Sequence, residues 1–297
     1  MIGRVRRVAQ AMRQKSLHAV IRQSVEQHRR RSMISRLRKQ KLAVKPIPDG
    51  PVLPVGFQPP AVLETRKLSK SFGEGDAITP VLNEVDIQIS RGEFVAMAGP
   101  SGSGKSTLLS LLGLLDLPTS GDVLVNGQSV TQLSRKDLAA VRCHTIGYVF
   151  QSFNLLNGLS AAENVMLPGL LAGRSGRAEY EHAIALLDQV GLASKAKRVP
   201  AELSGGEQQR VAVARALFMT PDVILADEPT GNLDTHSGRK VIDALYSLNA
   251  TGQTIVLVTH DRAIADNAPR LISLRDGEIE NDSADRSPTN VTWLAEH

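Results

Sequence analysis

Nine consecutive residues, Gly99, Pro100, Ser101, Gly102, Ser103, Gly104, Lys105, Ser106 and Thr107, constrain this chain more than any other stretch. They lie between an apolar run, Phe94 to Ala98, and a leucine-rich run, Leu108 to Leu115. The spacing G-x-x-x-x-G-K-[ST] after a strand and before a helix is a phosphate-gripping loop. Its glycines let backbone N–H groups converge on phosphate oxygens, and the following helix N-terminus adds positive potential. Lys105 is placed to reach β- and γ-phosphates, and the Ser106 hydroxyl to ligate Mg²⁺.

The surrounding pattern is that of an α/β domain. Val85, Ile87 and Ile89 alternate with Asp86 and Gln88, which predicts a half-buried strand ending in a turn at Ser90 to Gly92. Val223 to Ala226 and Ile255 to Val258 are short, continuously apolar runs, as expected of parallel strands covered on both faces. Between Ser152 and Pro200 strand signals vanish. There Ala183, Leu186, Leu187 and Val190 fall on one helical face, with Gly191 placed to end the helix. This predicts a helical subdomain over about residues 152–203, inserted into a domain over 61–280, with a polar tail over 281–297.

Two further elements complete a nucleotide site. Asp227 and Glu228 end the run Val223 to Ala226. An acid emerging from a buried strand is suited to the Mg²⁺ shell, which assigns that role to Asp227, and its neighbour Glu228 is suited to polarise an attacking water. Ser204, Gly205, Gly206 and Glu207 form a capping-box pattern, and Val211, Ala214, Leu217 and Phe218 supply the helix behind it. Two glycines in a first helical turn are costly for a helix, and sense can be made of them if a phosphate approaches the backbone. A well-capped helix alone is the competing explanation. His260, after the run Ile255 to Val258, and Gln151, after Val149 and Phe150, are individually uninformative.

In order along the chain, these elements resemble the ATP-binding subunit of an ABC transporter over roughly residues 62–277. The matching elements are the glycine loop, Gln151, Ser204 to Gln208, Asp227 with Glu228, Asp234 in Gly231 to Asp234, and Thr259 to Asp261. The resemblance implies an α/β P-loop NTPase fold of the ABC-ATPase type. That fold has a RecA-like, mainly parallel sheet core, an N-terminal antiparallel β subdomain and the inserted helical subdomain. It implies an ATP hydrolase that uses ATP and Mg²⁺ and closes as a homodimer around two nucleotides. By the same resemblance Glu228, His260 and Gln151 are catalytic, with His260 a switch histidine, and Ser106, Gln151 and Asp227 hold the metal. The resemblance also implies that Ser204 and Gly206 contact the γ-phosphate held by the other subunit, with Gly205 and Glu207 in the same nucleotide-binding element. Asp234 also belongs to the nucleotide site, and Phe72 is the aromatic residue expected to stack on adenine. Phe153 to Leu156, Leu159 to Pro168 and Thr230 to Asp234 are similar to the lipoprotein-release, macrolide-export and cell-division group. Members of that group serve a separate integral-membrane permease, in some cases with a periplasmic adaptor. The implied location is the cytoplasmic face of a bacterial inner membrane.

Charge is distributed unevenly. Residues 1–45 hold fourteen of the 35 Lys and Arg and only one acid, Glu26, so they carry +13. The other 21 basic and 29 acidic residues give −8, which leaves the net +5. The pI therefore describes the arm and argues against reading the whole chain as a nucleic-acid binder. Residues 1–60 end in a Pro-rich linker, Pro46 to Pro60, after a helical spacing of Leu17, Val20, Ile21 and Val25. The arm is a departure from the family. It reads as a solvated tail, with Met33 a later candidate start, as a segment attracted to anionic lipid, or, in a eukaryotic source, as an organelle transit peptide. No apolar run approaches the ~20 residues that span a bilayer. The single cysteine, Cys143, excludes an internal disulfide.

Overall fold

The computed structural model describes residues 61–73 and 77–284. The basic arm, and Trp293 and Leu294 in the tail, lie outside the described residues.

Two sheets meet across one layer of core. Strands β1 (Ala61–Phe72), β2 (Thr79–Ser90), β4 (Ser120–Val125) and β5 (Gln128–Ser129) form an antiparallel sheet in the order β2-β1-β4-β5. The expected alternation in β2 is present: Val85, Ile87 and Ile89 are buried, Asp86 and Gln88 exposed. The second sheet runs β10-β9-β3-β8-β7-β6, built from β3 (Phe94–Ala98), β6 (Ile146–Val149), β7 (Val223–Asp227), β8 (Thr254–Val258), β9 (Arg270–Arg275) and β10 (Glu278–Asp282). Its strands are parallel apart from β10, which pairs antiparallel with β9.

The apolar runs are continuous because both faces of this sheet are covered. Phe94, Ala96, Ile224, Ala226, Ile255 and Leu257 point into one core, shared with the helices on that side. Val95, Met97, Val223, Leu225, Val256 and Val258 point into the other, filled by the antiparallel sheet and by helix α1 (Lys105–Leu112). Alternation survives in the packing even though hydropathy does not alternate.

Helix α1 is shorter than the leucine run suggests. It ends at Gly113, where a Cβ would sit 2.8 Å from the Tyr148 ring, and Leu114 turns left-handed at φ 53°. Leu115 N–H then donates to Ser110 O at 2.9 Å, closing the helix end and turning the Leu115 side chain outward.

After α2 (Arg135–Thr145) and β6, no strand occurs among described residues until β7. The intervening helices are α3 (Ala161–Leu171), α4 (Arg177–Gln189) and α5 (Gly205–Leu217). The expected α4 face, Ala183, Leu186, Leu187 and Val190, is buried, and Gly191 at φ 71° follows it. Two more helices, α6 (Thr235–Ala250) and α7 (Arg262–Asn267), flank β8. Helix α3 approaches the end of α5 through Gly169, where a Cβ would meet Phe218 Cε1 at 2.2 Å. Gly169→Ala should therefore cost about 1–3 kcal/mol by overpacking. Chemical denaturation reads this directly, and an unchanged midpoint would show that the contact has slack.

Candidate functional site

The glycine loop leaves β3 and enters α1 as the sequence pattern requires. Gly99 (φ 152°) lies so close to β9 that a Cβ would meet Leu274 O at 2.1 Å, and at Gly104 (φ 97°) it would meet Val81 O at 2.8 Å. Lys105 is buried, and its Nζ donates to Gly99 O (2.9 Å) and Pro100 O (2.8 Å). These carbonyls hold the ammonium over the loop. Ser106 Oγ donates to Asp227 Oδ1 at 3.1 Å, joining the start of α1 to the end of β7.

Burial lifts the Asp227 carboxyl above its ordinary range, with Glu228 adding to the shift, while the Ser106 hydrogen bond and Lys105 oppose it. A buried carboxylate of this kind gains from a nearby cation. The Ser106 hydroxyl and Asp227 carboxylate are adjacent hard-oxygen donors, a chemistry that suits Mg²⁺.

Glu228 follows in a left-handed conformation, φ 44°, fixed by Glu228 N–H to Val258 O and Gly231 N–H to Glu228 O, both 3.0 Å. Its Oε2 lies 3.1 Å from His260 Nδ1. A Cβ placed on Gly231 would come within 2.8 Å of Gln151 Nε2 and 3.3 Å of Glu228 Oε2, so Gly231 makes room for both side chains. Glu228, His260, Lys105, Ser106, Thr107 and the loop glycines line a cavity of about 480 Å³, a volume suited to a small ligand. Val81 of β2 lines it too, and nothing in the sequence singled Val81 out.

The remaining candidates stand elsewhere. Phe72 ends β1 with its ring 47% exposed and Lys70 Nζ 4.9 Å from its centroid. Asp234 caps α6, Oδ1 accepting from Ser237 N at 3.0 Å, and the Ser237 hydrogen bonds hold its carboxyl below the usual range. Ser204 caps α5 and is exposed, and none of Ser204 to Glu207 lines the cavity. Gly206 has an internal reason to be glycine, since a Cβ would meet Ser237 Cβ at 2.7 Å. Gly206 is thus explained partly by packing of α5 on α6.

Helix α5 also grips the Gln151 segment. Gln209 Nε2 donates to Phe150 O (3.0 Å), and Arg215 donates to Phe153 O (2.9 Å) and Asn154 O (2.5 Å). Burial lowers the Arg215 guanidinium from its ordinary value. These contacts were not read from sequence, because both residues look like ordinary polar positions of an amphipathic helix.

The glycine loop, the strand-end acids and the two-sided parallel sheet define a P-loop cassette that binds and hydrolyses ATP. The ABC transporter family model matches residues 82–231. Macrolide export ATP-binding/permease protein MacB of Agrobacterium fabrum is 46% identical over 237 residues, covering 80% of this chain and 37% of that protein. Pyoverdine export ATP-binding/permease protein PvdT of Pseudomonas fluorescens is 47% identical over 229 residues, covering 77% and 35%. Among solved structures, the dimeric post-hydrolysis state of the ATP-binding cassette MJ0796 bound to ADP and Pi is 41% identical with a TM-score of 0.68. It covers 74% of this chain and 97% of that one. CbiO1 from Clostridium perfringens, part of the transporter complex cbiONQ, is 27% identical with a TM-score of 0.67, covering 75% and 88%. This chain belongs to the ABC transporter family. It spans little more than a third of the length of these curated relatives.

Proposed function

We propose that the chain is the ATPase subunit of a macrolide-export-type transporter, active as a dimer that closes around two ATP and drives an integral-membrane permease. One observation carries this reading: the capped turn at Ser204 is exposed and outside the cavity that Lys105, Glu228 and His260 line. Each chain thus offers a phosphate cavity and, apart from it, a helix N-terminus free to meet a phosphate held by another copy. The dimeric cassette MJ0796 supports the arrangement.

In that closed state the loop N–H groups and Lys105 hold the phosphates, exchanging the loop carbonyls for phosphate oxygens. Ser204 Oγ accepts from Glu207 N–H at 3.3 Å, so its own proton is available to donate outward. Glu228 polarises the attacking water and takes its proton. His260, 3.1 Å from Glu228, orients that carboxylate and faces the γ-phosphate. Ser106, Asp227 and Gln151 would hold Mg²⁺, which when bound neutralises charge on the β- and γ-phosphates. Phe72 offers the stacking face for adenine.

Turnover by the full chain should rise more than linearly with protein concentration, because monomers contribute half-sites. Strictly linear turnover at all concentrations would remove the dimer. Co-isolation of an integral-membrane protein from the source membranes tests the coupling, and its absence from crosslinked, ATP-trapped preparations would overturn it. A periplasmic adaptor in the wider complex is part of the same proposal, as is placement at the inner face of the membrane. No helix among the described residues is long and apolar enough to cross a membrane.

The +13 carried by residues 1–45 suits contact with anionic lipid. Deleting residues 1–60 should abolish flotation with phosphatidylserine vesicles at low salt. Equal flotation of both forms would end the lipid assignment.

A further inference from the structure

Helix α5 has an electrostatic conflict at its N-terminus. A carboxylate at its third position, Glu207, completes the cap, yet a negative charge there opposes an approaching phosphate. Glu207 Oε2 accepts from Ser204 N–H at 3.0 Å. Its Oε1 accepts from Lys195 Nζ at 2.5 Å. Both carboxylate oxygens are therefore committed within the chain. Lys195 is the foremost cause holding the Glu207 carboxyl below its usual range, followed by the Ser204 backbone bond.

Lys195 reaches Glu207 from outside the helix, and its backbone is well fixed. It ends the short 3-10 turn Ala193–Lys195, between buried Leu192 and Ala196. Lys195 N–H donates to Leu192 O at 2.9 Å. Two residues of the α3 start donate to this segment, Ala162 N–H to Ala196 O (2.9 Å) and Ala161 N–H to Arg198 O (2.7 Å). Of the other charges near the turn, Lys197 is exposed. Arg198 pairs with Glu202 at 3.3 Å, and Arg210, one turn along α5, feels Glu207 only through space.

We propose that Lys195 is a positioning residue for ATP hydrolysis, which neutralises Glu207 so that the Ser204 end of α5 can accept the γ-phosphate held by a second copy of the chain. This rests on the composite-site reading above. Lys195 does not line the phosphate cavity of its own chain. It acts by cancelling the one charge that the cap requires and the phosphate opposes.

A double-mutant cycle on the full chain separates this role from simple support of the fold. With Glu207 intact, Lys195→Met should raise the ATP concentration for half-maximal turnover about tenfold, the scale of one charge interaction near a protein surface. Turnover at saturating ATP should stay within about threefold, because the reacting groups are untouched. Binding of a fluorescent ATP analogue to dilute monomer should be unchanged, which also reports folding, and Lys195→Arg should restore the wild-type value. In a Glu207→Gln background, where the cap survives without its charge, Lys195→Met should cost less than about twofold. Equal penalties in both backgrounds, or none with Glu207 intact, would overturn the role of Lys195 alone. If the Glu228→Gln chain forms no ATP-dependent dimer, the composite site itself fails, and this inference fails with it.

Discussion

Replacing Glu228 by Gln should abolish most ATP turnover while leaving ATP binding intact, and the trapped chain should accumulate as an ATP-bound dimer. Glu228 supplies the one carboxylate among the described residues lining the cavity beside Lys105, and a neutral amide cannot accept the proton of an attacking water. The loss expected of a displaced general base is on the order of 10²–10⁴-fold. Backbone effects should be small, since the bonds fixing Glu228, its N–H to Val258 O and its C=O from Gly231, do not involve the side chain. The His260 contact at 3.1 Å survives in weaker form with an amide. Single-turnover hydrolysis and analytical ultracentrifugation with and without ATP read both halves of the prediction. Turnover within tenfold of wild type would remove Glu228 from the base role.

The second large effect is a complementation. Lys105→Ala should weaken ATP binding about tenfold to a hundredfold, as expected on losing a charged hydrogen-bond donor. Ser204→Asp should leave binding by the monomer intact and stop turnover, because Asp preserves the N-cap but turns a carboxylate toward the incoming phosphate. Each variant alone should be nearly inactive. Mixed, they form heterodimers in which one composite site pairs an intact glycine loop with an intact Ser204 turn. Activity should therefore reappear in the mixture, approaching half the wild-type rate per heterodimer if the sites act independently. A mixture no more active than the sum of its parts would show that the two elements do not meet across chains.

Much of this architecture was legible in the sequence, for physical reasons that differ by element. The apolar runs 223–226 and 255–258 announced buried parallel strands because every residue in them is covered from one side or the other. The glycine loop was legible because its chemistry demands particular residues at fixed spacing, and Gly99 and Gly104 do stand against backbone carbonyls. The end of α1 was not legible. Leu114 adopts a left-handed conformation that leucine composition does not signal, and Gly113 is glycine because of Tyr148, thirty-five residues away. The closeness of His260, Glu228 and Gln151 likewise needed the sheet to bring three strand ends together. Lys195 was invisible because its partner lies across a turn whose path sequence periodicity does not describe. Gly206 was legible as unusual, but the reason includes Ser237, which only the packing of α5 on α6 reveals.

The grip of α5 on residues 150–154 has a consequence for who senses what. Gln209 and Arg215 tie that segment's carbonyls to a helix whose leading end is proposed to address a neighbour's nucleotide. On the composite-site reading, one protomer's Gln151 segment answers to two nucleotides, its own through Gln151 beside Glu228 and its neighbour's through α5. A membrane partner touching one such segment would register its sister's occupancy, so two partners could be held in step without touching each other.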